Sequence, residues 1–433
     1  MPYFNKLSAD FGELINWLDL RKEQGADLAP LLKDIEGTIA GWTRQAEALK
    51  PNPRGYVEPI ALKDILAARP KGTRKLPYDP TDARLTDKTL GALLGRCAGC
   101  VLGIPVEGWS KPAIKDWADK LGQPYPLADY WNDYRGANMG HYHDMMDAFI
   151  KPNLDHVGQD DDLAYTVLGL LILEQAGMDF TSEDVGNLWL KYLPVACTAE
   201  RVALDNLKKG LKPPKTALKN NPFLEWIGAD IRSDPWGYAA PGLPELAAEF
   251  AYRDASVSHI MNGTYGEMFF SAAIAAAFVV DDPKEVLKIA LTEIPAKSRM
   301  AETVRQTIKW CEADGDWERT WERVDKRYAG MSCAHTLNNA ALTIMGLLYG
   351  VGDFERTIAL TVMGGVDTDC TGATAGSIIG AILGAKNLPK KWTDPLGDRL
   401  VTYLIGEEEQ SITDMANRFV KVAKQVRARY GIP

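Results

Sequence analysis

Histidine and cysteine are both scarce in this chain, five and six residues in 433. Cys97 and Cys100 form a C-x-x-C, but neither a second pair nor a histidine at ligand spacing follows. That argues against a zinc site there and for small residues buried in a helix. The six cysteines (Cys97, Cys100, Cys197, Cys311, Cys333 and Cys370) make no disulfide framework in a chain this long, so a reducing compartment is expected. Basic excess is missing as well: 49 Lys and Arg stand against 58 Asp and Glu, a net charge of −9. A nucleic-acid or anionic-membrane partner would ask for a basic stripe, so neither is expected. No apolar run reaches the roughly 18 residues of a membrane-spanning helix. The start, MPYFNKLSADFGEL, lacks a basic segment followed by an apolar one, so no signal peptide is expected and the location follows as cytoplasmic. Alternating β-type runs are few, and neither a Ser-His-Asp arrangement nor a phosphate-binding glycine fingerprint stands out.

What is present is apolar, helical and rich in glycine. Hydrophobic residues make up 46% and charged residues 25%, the balance of a globular protein with a sizeable core. Residues 10–50 show helical periodicity and end at the breaker KPNPRGYVEP. A short helical piece around IALKDILAAR precedes a second polar stretch, PKGTRKLPYDPTDAR. Residues 1–85 read as an N-terminal helical extension and 86–433 as the main domain. Helices are expected at 87–103, 163–176, 184–209, 267–280, 283–295, 299–313, 335–350, 353–363, 372–385 and 411–430, with loops rich in Gly, Pro, Asp and Trp between them. The fold class is all-α, a multi-helix globule without a solenoid repeat.

Two of these segments carry glycine at every fourth position: Gly91, Gly95, Gly99 and Gly103 in one, Gly372, Gly376, Gly380 and Gly384 in the other. Glycine costs a helix about 0.8–1.0 kcal/mol per position relative to alanine. One whole face of it makes sense where another backbone comes very close. An antiparallel contact between the two helices would bring Glu107, just past the first, beside Asp367 and Asp369, just before the second.

Acids also precede the apolar helix that follows GQDDDLAYTVLGLLILE, as Asp160, Asp161 and Asp162. Taken singly, such residues cap helices and suit the helix dipole. Gathered in one pocket, five or six carboxylates repel unless a cation neutralises them. Oxygen ligands without Cys or His select hard ions such as Mg²⁺, Mn²⁺ or Ca²⁺. Asp367 and Asp369, spaced i, i+2 in an extended turn, can face one or two such ions, with Thr368 or Thr371 adding a hydroxyl oxygen.

In this order GALLGRCAGCVLGIPVEGW, GQDDDLAYT and GGVDTDCTGATAGSIIGAILGA resemble the ADP-ribosylglycohydrolase (dinitrogenase-reductase-activating glycohydrolase-like) family over roughly 87–400. The resemblance implies an orthogonal all-α bundle with two Mg²⁺ ions (Mn²⁺ as a substitute) in a central cleft, and hydrolysis at the anomeric carbon of a ribose. It implies Asp160, Asp161, Asp367 and Asp369 as metal ligands and Glu107 as the glutamate that gates them. His259, in DASVSHIMNGTYGE, matches a residue lining the substrate cleft. Gly228 and Arg232, in WIGADIRSDPWGY, stand where the family has a phosphate-proximal loop. The sequence departs from the pattern at four positions and in the 227–232 loop, which lacks the usual Gly-Asn-Gly that would let a backbone approach a diphosphate. Gln159, Asp162 and Cys370 replace threonines, and Cys100 stands where aspartate is usual. A thiol is a poor Mg²⁺ ligand, so one position is lost, filled by water or taken by Thr371, unless Asp162 restores an oxygen.

The expected partner is thus a small-molecule or ADP-ribosylated substrate. Glu107 or Asp369 moves protons, and Thr368 and Tyr265 are further substrate contacts. Two alternatives remain: hydrolysis of a simple riboside, and a silent relative that binds ADP-ribose or another metabolite. His141 and His143 form an H-x-H that reads as loop surface before zinc. His335, Asn338 and Asn339 open a helix near the expected cleft, and Trp236 and Tyr238 are aromatic enough to stack on a base.

Overall fold

The computed structural model describes residues 4–50, 52–132 and 147–430. Among these, twenty α-helices and several 3-10 turns account for nearly all regular structure. One antiparallel sheet of two strands pairs Arg399–Val401 with Glu409–Ser411. The all-α class expected from the sequence is the class the chain adopts. His141 and His143 lie outside the described residues.

Two compact units form, Met1–Tyr56 with Tyr328–Ser332, and Val57–Arg327 with Cys333–Pro433. The smaller holds helices Asn5–Glu23 and Ala29–Glu47, in which no residue is buried. Arg21 and Lys22 suit the last turn of the first helix, and a proline opens the second, where its missing N–H costs nothing. Residues 57–80 belong to the larger unit. There the buried Glu293 takes ion pairs from Arg69 at 2.5 Å and Arg74 at 2.8 Å, and the Leu76 N–H donates to the Gly242 carbonyl.

The larger unit is organised around helices Asp82–Gly103 and Thr368–Leu383, which lie antiparallel with their backbones in contact. A methyl group added at Gly99 would sit 1.9 Å from the Gly372 carbonyl oxygen; at Gly95, 2.1 Å from that of Gly376; at Gly91, 2.5 Å from that of Gly380. No side chain fits in those gaps. The glycine spacing therefore means what it was expected to mean, with one change. Gly384 lies outside the ladder as the C-cap, at φ +78°, and the fourth rung is Gly103 against the Thr368 backbone. By length and composition the segment Asp82–Val106 would suit a membrane crossing, contrary to the sequence reading, but nearly all of it is packed inside the protein.

Two other expectations change. The stretch 184–209 is not one helix but two, Ser182–Tyr192 and Thr198–Lys208. Pro194 lacks an N–H and forces Leu193 into an extended conformation, at φ −89° and ψ 109°. Helices Lys111–Lys120, Asp234–Ala239, Pro244–Ala255 and Trp317–Arg327 occupy stretches read as loops.

Candidate metal centre

The residues after the first glycine helix are stitched to those before the second. The helix ends in a 3-10 turn, Ile104–Val106, and Glu107 follows. The Gly108 N–H donates to the Val366 carbonyl at 2.7 Å, and the Val366 N–H to the Trp109 carbonyl at 3.0 Å. This approach requires glycine at 365, which has φ +82°; a Cβ there would lie 2.7 Å from the Trp109 oxygen. Val366 itself sits at φ +63°, a conformation that costs a β-branched residue of order 1–3 kcal/mol. Backbone strain is thus held at the residue that aims Asp367.

Asp367 occupies the N-cap position of Thr368–Leu383 without making a side-chain capping bond. Its N–H is fixed instead by Asn339 Oδ1 at 3.2 Å, and Asn339 is anchored by the Cys333 and His335 carbonyls. Asp369 lies in the first helical turn rather than in an extended one, because the close backbone contact continues as far as Thr368. On the other side, Asp160 caps Asp161–Gln175, accepting from the Asp162 N–H at 2.9 Å.

These elements bring the acids together. Asp160, Asp161, Asp162 and Asp369 place oxygens within 4.8 Å of one another, and so do Glu107, Asp367 and Asp369. Asp369 is common to both sets. Capping explains only part of this: Asp162 Oδ2, Asp367 Oδ1 and Asp369 Oδ1 are buried and accept no hydrogen bond. A buried carboxylate oxygen without a partner is costly. Carboxylate oxygens gathered this closely can hold a metal ion, and a donor set of this kind is what hard cations take.

The electrostatics agree. Burial, reinforced by neighbouring carboxylates, pushes Asp161, Asp162 and Asp369 well above the usual carboxylate range. Glu107 stands at the exposed rim with its carboxyl crowded inward. Loss of water around that carboxyl, then the charges of Asp367 and Asp160, push it up to about 7. Among the described residues, Arg96 is the one cation paired with any of these acids. It is fully buried beside Gly95 and holds Asp162 Oδ1 at 3.1 Å, the Asp162 carbonyl at 2.8 Å and Asp234 at 2.6 Å.

A pH dependence follows. Glu107 keeps its proton up to about pH 7 in the folded chain and only to its ordinary 4.5 when unfolded. That stabilisation is complete below the unfolded value and is lost as pH rises through the folded one. Without cations, the melting temperature should therefore fall between about pH 5 and about pH 8, and added Mg²⁺ should flatten the slope. A slope that Mg²⁺ leaves unchanged would mean that the acids share no cation site.

Several expected site residues are engaged with partners within the protein. The Arg232 guanidinium is buried and its donors are taken by Glu200 at 2.6 Å, Asp254 at 2.5 Å, Ser258 and the Gly228 carbonyl, so it has none left for a phosphate. Gly228 leaves room for Glu200, whose carboxylate a Cβ would strike at 2.2 Å. Tyr265 is buried, and its hydroxyl donates to the Pro59 carbonyl. Trp236 and Tyr238 are likewise buried, bonded to Glu267 and to Asp234 and Ser377. His259 is buried against the Ser258 hydroxyl; burial, then Arg232, hold it neutral, and its Nε2 has no partner. The Thr368 hydroxyl donates to the Gly103 carbonyl and that of Thr371 to the Asp367 carbonyl, so both fasten the helix start. His335 caps its helix through Nδ1.

Four residues near the acids escaped the sequence reading: Arg96, Asn339 as the anchor of Asp367, Tyr403 and Asp230. Tyr403 lies close enough to Asp161 and Asp160 for their charges to raise its hydroxyl further, beyond the effect of burial. Asp230 is buried, takes a hydrogen bond from Thr336 and keeps Oδ1 unpartnered. The signal for Arg96 was available: an arginine on a glycine-lined apolar helix must find a buried anion.

Comparison with known proteins gives three findings. A family description, ADP-ribosylglycohydrolase, matches residues 81–429. An uncharacterized protein of Archaeoglobus fulgidus is 25% identical over 327 residues, covering 73% of this chain and 93% of its own. A solved structure described as an ADP-ribosylglycohydrolase-related protein complex aligns with a TM-score of 0.54 at 20% identity, over 79% of this chain and 99% of that one, a likeness of fold.

Proposed function

The chain belongs to the ADP-ribosylglycohydrolase family, and from that membership we propose that it hydrolyses a ribosyl glycosidic bond at a site built from Glu107, Asp160, Asp161, Asp162, Asp367 and Asp369. The observation that carries this reading is the convergence of these acids with three buried oxygens left unpartnered. They fit two Mg²⁺ ions, with Mn²⁺ as a substitute: Asp160, Asp161, Asp162 and Asp369 toward one, and Glu107, Asp367 and Asp369 toward the other. When bound, such ions orient a water and lower its pKa while anchoring substrate oxygens.

The protein's own groups supply the rest. Glu107 is the acid best placed to move a proton, being at the rim and pushed up to about 7, near the pH at which it must both give and take one. The remaining carboxylates favour the positive charge that builds on the sugar in an oxocarbenium-like transition state. Asn339 and Arg96 fix Asp367 and Asp162 in place. Six free cysteines support a reducing compartment, and we place the protein in the cytoplasm.

One observation favours a second reading of the substrate. With Arg232 saturated by protein partners, the loop expected to meet a diphosphate offers no free guanidinium, which suits a simple riboside. A panel of ADP-ribosyl-arginine, ADP-ribosyl-serine and simple ribosides separates the two. Product release should stop on exhaustive chelation and return when divalent cations are added back. Release that survives chelation would remove the metal-assisted mechanism, and no release from any member would remove the hydrolase.

A further inference from the structure

The acid cluster contains sulfur. Cys370 follows Asp369 in the first turn of its helix, is 6% exposed, and places its Sγ within 4.8 Å of ligand oxygens of both Asp162 and Asp369, which are themselves that close to each other. The two carboxylates of the set are 0% and 3% exposed, and each keeps one oxygen, Asp162 Oδ2 and Asp369 Oδ1, without any partner. Asp162 cannot swing away to find one, because Arg96 holds its other oxygen and its carbonyl.

We propose that Cys370 is a ligand in this set, so that the position formed by Asp162, Asp369 and Cys370 takes a thiophilic divalent cation such as Zn²⁺, while the position formed by Glu107, Asp367 and Asp369 takes a hard one. The inference rests on the cation centre put forward above and makes its two halves chemically unequal. Two carboxylate oxygens and one thiolate, with a fourth position open, form a donor set that zinc accepts in sites where it also holds a water. A sulfur ligand discriminates against Mg²⁺, which prefers oxygen throughout. On binding, the Cys370 proton leaves to solvent and the sulfur lone pair goes to the cation, with no change of oxidation state. Cys100 is also fully buried near these acids, but its sulfur belongs to none of the ligand sets. It serves as the control.

The test uses the full chain, kept reduced and stripped of metal, titrated with Co²⁺ alone. Sulfur bound to Co²⁺ gives a charge-transfer band in the near ultraviolet, which a purely packing role for Cys370 cannot produce. The band should appear with the first equivalent, resist excess Mg²⁺, vanish in Cys370→Ser and persist in Cys100→Ser. In Cys370→Ser the affinity for Cd²⁺ should fall by at least about tenfold, with a much smaller change for Mg²⁺. Co²⁺ binding seen by calorimetry without the band, or a band that survives Cys370→Ser, would overturn the thiolate and leave the cation centre standing. Failure of the wild-type chain to bind any divalent cation would overturn both.

Discussion

Asp369→Ala should abolish divalent-cation binding at both positions and reduce turnover by at least about a hundredfold, the upper end of what loss of a mere outer partner costs a metal site. Asp369 is the one acid common to both oxygen sets, so its removal opens each at once. Asp160→Ala or Asp367→Ala removes an acid from one set only and should leave one cation bound. The isosteric Asp369→Asn carries a second, opposite expectation. Without cations it should be more stable than wild type, because it takes one buried carboxylate out of a crowd that holds each member's ionised form at a disadvantage. Calorimetric titration with Mn²⁺ reads the first effect, and thermal unfolding in chelator reads the second. Full activity in Asp369→Ala would dismiss the shared centre.

Arg96→Leu should destabilise the fold by about 3–5 kcal/mol, the usual consequence of removing one member of a buried ion network. Two carboxylates, Asp162 and Asp234, would lose the guanidinium between them in a place with no water to replace it. Arg96→Lys should recover little, since one ammonium cannot span donors that now reach Thr166, the Ile231 carbonyl and both acids. Adding Asp162→Asn and Asp234→Asn to Arg96→Leu should restore much of the stability but not cation binding. Urea unfolding of the wild type, Arg96→Leu, the Asp162→Asn/Asp234→Asn pair and the triple variant forms the cycle. A cost for Arg96→Leu below about 1 kcal/mol would mean that the network is not what holds Asp162.

What could be read from the sequence was what repeats or clusters locally. Glycine at every fourth position marks a helix face without knowledge of the partner, and finding it twice names the partner. Paired acids at two helix starts mark a charge problem that the fold has to solve. The rest depends on contacts far apart in the chain. Arg96 meets Asp162 and Ile231, 66 and 135 positions away, so the sequence shows that it needs a buried anion but not which one. The surroundings of Arg232 were hidden for a related reason: the family resemblance of its loop points to a phosphate, and only the fold brings Glu200 and Asp254 around it. Pro244–Ala255 went unread although proline at the first position and the alanines after it are ordinary signs of a helix. The break inside 184–209 was also visible in Pro194.

The glycine ladder raises a problem of uniqueness. Rungs that recur every four residues look the same after a slip of one turn, and such a slip would carry Asp369 about 5–6 Å along the axis, out of reach of Glu107. In the middle, Arg96 is tied to Asp162 and Asp234 and Ser377 to Tyr238, and a slip would break both ties. The two ends add to this. At one, the Thr368 hydroxyl locks onto the Gly103 carbonyl at 2.8 Å; at the other, Asp87 accepts the Lys386 N–H at 3.2 Å, beside the capping Gly384. Alignment of the acids is therefore decided by contacts outside the glycine rungs, the buried ties of Arg96 and Ser377 and the two terminal latches, and a helix pair that lost them could assemble one step out of phase, folded and inert.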